Sequence, residues 1–217
     1  WILFEQKLKR EHPYLTTYNI VNFYKLHLLY ELAKQYDEVL YLDFDVVPMQ
    51  NIDFFEHWDL TKGIAVLNNN DRVLVPENVT DSSTTIRSPT AKFYNAQAML
   101  FEKGLSTKND VINTGIIGAN ADHLNKLAYF KDFDKNLKLM TDLTKESDLH
   151  PPKFTKYFGW DNETLFAVKI KENNVPILWL DDKWHYFFSN QKHIPQRVIL
   201  CHTINKDFDT VWRIMDA

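Results

Sequence analysis

The chain has 217 residues, 45% of them hydrophobic and 14% aromatic, which is ample for one sizeable domain with a full core. Its formal charge of −4, with both signs scattered along the chain, is unlike the basic balance of a general nucleic-acid binder. No apolar run approaches the length that crosses a bilayer, and the single cysteine, Cys201, excludes an internal disulfide, so a reducing, cytoplasmic location is the simplest expectation.

Residues 1–12 read as a short amphipathic helix, with Ile2, Leu3 and Leu8 apolar and Lys7, Lys9 and Arg10 polar, broken at Pro13. From Thr17 to Tyr36 the residues Ile20, Val21, Tyr24, Leu28, Leu29, Leu32 and Tyr36 recur at helical spacing, with Thr17 or Asn19 placed to cap the start. Val39 to Leu42 is a short strand-like run that ends abruptly in Asp43-Phe44-Asp45. In an extended chain, residues i and i+2 project to one side, so Asp43 and Asp45 aim two carboxylates at one point. Two carboxylates at the end of a buried strand repel each other and are costly to desolvate. A divalent cation offsets both penalties, and oxygen ligands suit Mg²⁺ or Mn²⁺. The same tripeptide recurs at Asp132-Phe133-Asp134, in a lysine-rich helical pattern that reads as solvated surface, and at Asp207-Phe208-Asp209, in a polar segment near the end. Only the first copy follows a strand-like run.

Asn51 to Trp58 reads as a short helix beneath the paired aspartates, and Gly63 to Leu67 as a second buried strand. Residues 68–95 form a polar, turn-rich stretch, a loop length that in a compact domain marks function or mobility; we expect it to order over a bound ligand. Ala96 to Phe101 and Val111 to Ile117 read as further strands, and Ala121 to Leu143 as one long surface helix with a lysine-rich outer face. Asp161 to Asn173 reads as a helix, followed by strands at Pro176 to Leu180 and Val198 to His202. The alternation predicts an α/β class with a mostly parallel central sheet flanked by helices.

Taken together, these motifs resemble the GT-A fold glycosyltransferases, most nearly family eight. The resemblance spans Tyr18 to His202 and rests on a helix carrying a basic residue, a strand ending in Asp-x-Asp, an Asn-Thr-Gly strand, an Asp-Asn-x-x-Leu helix start and a late strand ending in His. It implies a nucleotide-sugar donor such as a UDP-sugar, a Mn²⁺ ion (or Mg²⁺), a glycan or other hydroxyl acceptor, and retention of anomeric configuration. By the same resemblance Asp43, Asp45 and His202 hold the metal, and Asp43 also touches the donor. Lys25 and Lys206 contact donor or phosphate, and Asn113-Thr114-Gly115 lines the sugar pocket. Asp161 and Asn162 sit beside the transferred sugar, and Trp184 falls where the family has a Trp-Asn pair. The chain departs from the family in having only 42 residues before Asp43, with no first nucleotide-binding strand evident. The whole of residues 1–217 is thus expected to be one GT-A-like domain that lacks this strand or is cut from a longer chain. Lys25 replaces arginine, Asn162 replaces glutamine, and the glycine-rich ending after the histidine is missing.

The residues leave other readings open. His202 reads equally as a core histidine, Asn113 as a turn residue and Asp161 as a helix cap. Trp160, Trp184 and Tyr186 are candidates for an acceptor platform, whereas Trp179 reads as core. Asn78-Val79-Thr80 and Asn162-Glu163-Thr164 match the glycosylation sequon, a pattern frequent by chance. An inverting transferase with Asp161 or Glu163 as base is the nearest rival. A nucleotidyltransferase and a non-catalytic nucleotide-sugar-binding module are the others.

Overall fold

The computed structural model describes residues 1–75, 88–143, 159–189 and 191–216. The first helix, α1 (Ile2–Glu11), buries only Leu8. The second, α2 (Thr17–Leu32), starts with a capping box, although the cap is Thr16 and not Thr17: its hydroxyl accepts from the Asn19 amide (3.2 Å) while Asn19 Oδ1 accepts from the Thr16 amide (3.0 Å). α2 is apolar nearly all round, so its pattern could not say which face turns inward. Ile20, Phe23, Leu26 and Leu29 are in the core, each contributing about 1.5–3 kcal/mol by burial. Val21, Leu28 and Leu32, part of the predicted stripe, stay exposed. The helix stops four residues before Tyr36 because the chain turns there to enter the first strand.

Two sheets follow. The larger has the order β1 (Glu38–Leu42), β4 (Ile112–Asn120), β3 (Ile64–Asn68) and β5 (Ile177–Leu180). The smaller has the order β2 (Val46–Pro48), β7 (Leu200–Thr203) and β6 (Tyr186–Phe188). The class is α/β, but the sheets are mixed rather than mostly parallel. β1–β4, β3–β4 and β2–β7 pair antiparallel, and only β3–β5 and β6–β7 pair parallel. Alternation of strand and helix in sequence fixes that a helix lies between strands. It does not fix the end from which the chain re-enters the sheet.

Several expected elements change. Ala96–Phe101 is not a strand but the second half of α4 (Ser88–Glu102). Ala91, Asn95, Ala98 and Met99 recur at helical spacing and are buried, a period that the six-residue window was too short to show. The expected long loop over 68–95 therefore ends by Ser88, and Asn70–Arg72 within it forms a 3₁₀ turn. The expected ordering segment falls largely on residues 76–87, outside the described residues. The single helix expected over Ala121–Leu143 is two, α5 (Ala121–Leu127) and α6 (Phe133–Leu143), broken where Ala128 and Asp132 take positive φ. The break drives Tyr129 and Phe133 into the core, where Phe133 meets Phe23 edge-on at 5.1 Å. The helix expected over Asn51–Trp58 shrinks to α3 (Phe54–His57), begun by Asp53, whose carboxylate accepts from the Phe55 amide. The expected helix after Asp161 is present as α7 (Asn162–Asn173). β2, β6 and a last helix, α8 (Phe208–Met215), were not anticipated.

Candidate active site

The first Asp-Phe-Asp segment joins the two sheets. The Asp43 amide donates to Gly115 O on β4 (2.7 Å), while Asp45 O accepts from the Thr203 amide on β7 (2.8 Å). The segment is not extended, as the i, i+2 argument assumed. Val46 N donates back to Asp43 O (3.0 Å), closing a turn that leaves Phe44 76% exposed. The two carboxylates converge all the same, because each end of the turn is pinned to a different sheet.

Asp43, Asp45 and His202 offer ligand atoms within 4.8 Å of one another. His202 comes from β7, directly across from Val46. Its Nε2 lies 3.3 Å from Asp45 Oδ1, and its Nδ1 lies 2.9 Å from His185 Nε2. Burial pushes the His202 imidazole below its ordinary range, against the pull of Asp45 and Asp43, which favours the neutral form that ligates metals. Burial, and then His202 itself, push His185 further down. Asp45 is only 7% exposed. The Asp43 carboxylate accepts from Tyr41 OH (2.7 Å) and pairs with buried Lys25 (3.4 Å), whose Nζ also donates to Thr114 O (3.0 Å). Lys206 Nζ lies 3.4 Å from Asp45 Oδ2. Two carboxylates and one imidazole fit a divalent cation of the Mg²⁺–Mn²⁺ kind, with the imidazole favouring Mn²⁺.

Asp43, Asp45 and His202 line a cleft of about 580 Å³, together with Lys206, Arg72, Asn113 and Lys25 and with Asp161, Asn162, Glu163, Lys92 and Trp160. A larger concavity of about 820 Å³ between α1, α2 and the α5–α6 link has an apolar floor of Leu3, Phe4, Leu8, Phe130 and Phe133 among charged side chains of both signs. Its acidic group Glu11–His12–Asp134 is the other described set with ligand spacing, but Asp134 is held by His12 (2.9 Å) and Glu11 by Arg10 (3.1 Å). The cleft is the better candidate because its donors converge in a buried setting.

Asp161 caps α7, accepting from the Glu163 amide and the Thr164 hydroxyl (3.0 Å each). Burial pushes its carboxyl up, and Lys92 opposes the rise. Asn162 Nδ2 donates to Thr114 Oγ1 (2.9 Å). Among the described residues nothing donates to Asn162 Oδ1. Asn162 is 4% exposed, so its sequon is sterically closed to glycosylation. Glu163 Oε1 accepts from the Thr114 amide (2.8 Å) and hydroxyl (3.1 Å), and its other oxygen pairs with Lys92. Burial pushes the Glu163 carboxyl up, but Lys92 and Lys25 outweigh it and hold it below the usual range. Lys92 reaches Asp161 as well (3.8 Å). The two carboxylates outweigh the effect of burial and hold its ammonium charged.

Of the residues expected from sequence, Lys25, Asp43, Asp45, Asn113, Asp161, Asn162, His202 and Lys206 all line this cleft. Thr114 and Gly115 lie behind the wall. Thr114 is fully buried and holds Asn162 and Glu163, while Gly115 backs His202. Trp184 lies elsewhere: its ring packs on Trp58 (5.2 Å) and Phe54 (6.0 Å) in an apolar cluster to which both sheets contribute. Its apolar neighbours are contributed by α3, which the sequence reading placed only loosely. Trp179, expected in the core, is 43% exposed. Of the proposed aromatic platform only Trp160 lines the cleft. Lys92 and Arg72 were missed, because Lys92 sits on a stretch read as loop and Arg72 follows no motif; His185, next to Trp184 in the Trp-Asn pattern, was given no role of its own.

A methyl group at Gly115 would lie 2.7 Å from His202 Cε1 and 3.0 Å from Asn113 Oδ1. Gly115→Ala is therefore expected to leave the fold but displace His202. Mn²⁺ affinity should fall roughly 10–100-fold, the scale of a disturbed supporting group at a metal site. Titration of Mn²⁺ by electron paramagnetic resonance reads this directly, and unchanged affinity would remove His202 from the ligand set.

Neither protein-family models nor curated proteins yield a match to this chain. No helix among the described residues is long and apolar enough to cross a membrane. Fold and site together define an α/β protein with a cluster of two carboxylates and one imidazole, Asp45 and His202 buried and Asp43 half-buried, in the wall of a polar cleft.

Proposed function

We propose that the protein is a metal-dependent glycosyltransferase on a GT-A-like fold. It moves a hexose from a nucleoside-diphosphate sugar, such as a UDP-sugar, to a hydroxyl acceptor such as a glycan, with retention of configuration. The observation that carries this reading is the convergence of Asp43, Asp45 and His202 in a cleft that also presents Asp161 and Asn162. Asp43, Asp45 and His202 would hold the cation, which supplies Lewis-acid stabilisation of the departing diphosphate. Lys25 and Lys206, each on one of these carboxylates, are placed to turn to phosphate oxygens once the carboxylates are engaged. The Asn162 carbonyl oxygen offers a dipole to positive charge developing on the sugar without trapping it covalently. Asp161 orients sugar hydroxyls while capping α7. Glu163 is unsuited to act as a base, because Lys92 and Thr114 occupy both of its oxygens.

The test is a thermal-shift screen of nucleotide sugars with Mn²⁺, followed by assay of nucleoside diphosphate release. We expect stabilisation by a UDP-sugar that requires Mn²⁺. Absence of stabilisation by any nucleotide sugar overturns the proposal. Preference for a nucleoside triphosphate with pyrophosphate release would reassign the site to nucleotidyl transfer.

A further inference from the structure

Among the described residues, four cationic side chains line the cleft: Lys25, Arg72, Lys92 and Lys206. Three of them are already matched, Lys25 to Asp43, Lys92 to Glu163 and Asp161, and Lys206 to Asp45. Among the described residues Arg72 has no carboxylate partner. Its guanidinium carbon instead sits 4.1 Å from the centre of the Phe187 ring. Stacking of this kind holds the guanidinium plane and leaves its in-plane N–H donors free. Phe187 lies on β6, in register with His202 on β7, and its ring is 5.4 Å from the His202 ring. Arg72 is thus held one aromatic ring away from the candidate metal ligand.

The backbone under Arg72 is fixed. The Arg72 amide donates to Asn69 O (3.0 Å), and buried Asn69 is tied by its own amide to Val111 O (2.8 Å). Asn70 Oδ1 accepts from the Val111 amide (2.8 Å), and Asn68 Oδ1 accepts from the Asn70 amide (2.7 Å). The turn Asn70–Arg72 is therefore fastened to the strand β4 that carries Asn113 and Gly115. A planar fork of donors at the wall of a cleft, without a counter-charge among the described residues, is suited to a phosphate or carboxylate oxygen pair. Among the described residues, the cleft carboxylates Asp43, Asp45, Asp161 and Glu163 number the same as the cations. A divalent cation added to that balance leaves the cleft net positive, which favours an anionic ligand.

We propose that Arg72, stacked on Phe187, is the anion-binding residue of this cleft and takes a phosphate or carboxylate group beside the metal position. The assignment deepens the proposed glycosyl transfer and rests on it for the identity of the ligand. The anion has two sources within that reaction, the diphosphate of the donor or an acidic substituent on the acceptor.

Isothermal titration of the wild-type chain, Arg72→Ala and Arg72→Lys distinguishes them. The probes are UDP and uridine in the presence of Mn²⁺, then glucose 6-phosphate and glucose with Mn²⁺ and UDP both present. Loss of a charge-assisted pair should weaken binding roughly tenfold to a hundredfold, with Arg72→Lys partly restoring it because charge returns without the fork. A loss of this size for UDP but not for uridine supports the diphosphate as the ligand. Unchanged UDP binding, with glucose 6-phosphate binding to the wild-type chain and lost in Arg72→Ala, supports an anionic acceptor. Equal affinities of all three proteins for both anions overturn the proposal. Failure of the wild-type chain to bind UDP with Mn²⁺ counts instead against the glycosyltransferase reading. Arg72 is then still tested by glucose 6-phosphate alone, where lack of binding to the wild-type chain also overturns the assignment.

Discussion

Asp45→Asn is expected to abolish Mn²⁺-dependent turnover while leaving the melting temperature nearly unchanged. The side chain is what the site uses: Oδ1 faces His202 Nε2 at 3.3 Å and Oδ2 faces Lys206 at 3.4 Å. The backbone is what the fold uses, since Asp45 O accepts from both the amide and the hydroxyl of Thr203 to join the two sheets. An isosteric amide keeps the second set of contacts and removes a ligand charge from the first. Mn²⁺ affinity should fall by at least about a hundredfold, no less than the loss typical of a disturbed outer-shell partner. The other two copies of the tripeptide are internal controls. Asp134 is 77% exposed in its side chain and pairs with buried His12, away from the cleft. Asp209 lies on the exposed first turn of α8, behind the Asp207 cap. Asp134→Asn and Asp209→Asn are therefore expected to keep both Mn²⁺ affinity and turnover. Parallel measurement of the three variants decides the matter: equal losses in all of them would mean that the setting of Asp45 confers nothing special.

The parts of this site legible in the sequence are those where one short stretch carries both the structural and the chemical signal. Val39 to Leu42 running into Asp43 and Asp45 is such a stretch, as are Asn113-Thr114-Gly115 and the Asp161 cap. The second Asp-Phe-Asp shows the limit of the same approach: its carboxylates are at the surface as expected, yet Phe133 between them is a core residue. Pairing direction was not legible, because β4 meets β1 and β3 antiparallel through contacts between residues far apart in the chain. Lys92 was hidden for a related reason. It matters only because α4 lays it against Asp161 and Glu163 on α7, and the helical period that would have revealed α4 was split between a presumed loop and a presumed strand. Trp184 failed in the opposite sense. Its neighbourhood resembled a family pattern, but Phe54, Trp58 and His57 surround the ring and turn it away from the cleft. His185 replaces the polar residue next to it in that pattern and does reach the site, through His202.

The stereochemical outcome turns on Asn162 and its neighbours. If the acceptor attacks on the face from which the diphosphate departs, positive charge develops on the sugar, and a neutral dipole on the other face stabilises it. Among the described residues nothing donates to Asn162 Oδ1, which leaves it to that role, while Nδ2 is anchored to Thr114 Oγ1 at 2.9 Å and so fixes the amide plane. Asn162→Ala removes the dipole together with one buried hydrogen bond, whose loss costs stability only about 0.5–1.5 kcal/mol. Turnover should fall roughly tenfold to a hundredfold, at or below the loss of one full oxyanion donor, with Mn²⁺ affinity unchanged. Glu163→Gln is a sharper case than its sequence position suggests. The side chain sits between Lys92 and Thr114, so the variant leaves Lys92, among the described residues, with the longer Asp161 contact alone. That should lower stability by about 3–5 kcal/mol, the scale of a broken buried pair, yet leave turnover of the folded fraction largely intact. An inverting enzyme would behave in reverse. Asp161→Asn or Glu163→Gln would then be nearly inactive even when folded, and Asn162→Ala would be tolerated. Following the anomeric proton of the first product by NMR, before mutarotation, separates the two. A product of inverted configuration removes the role assigned to Asn162, whatever the variants do.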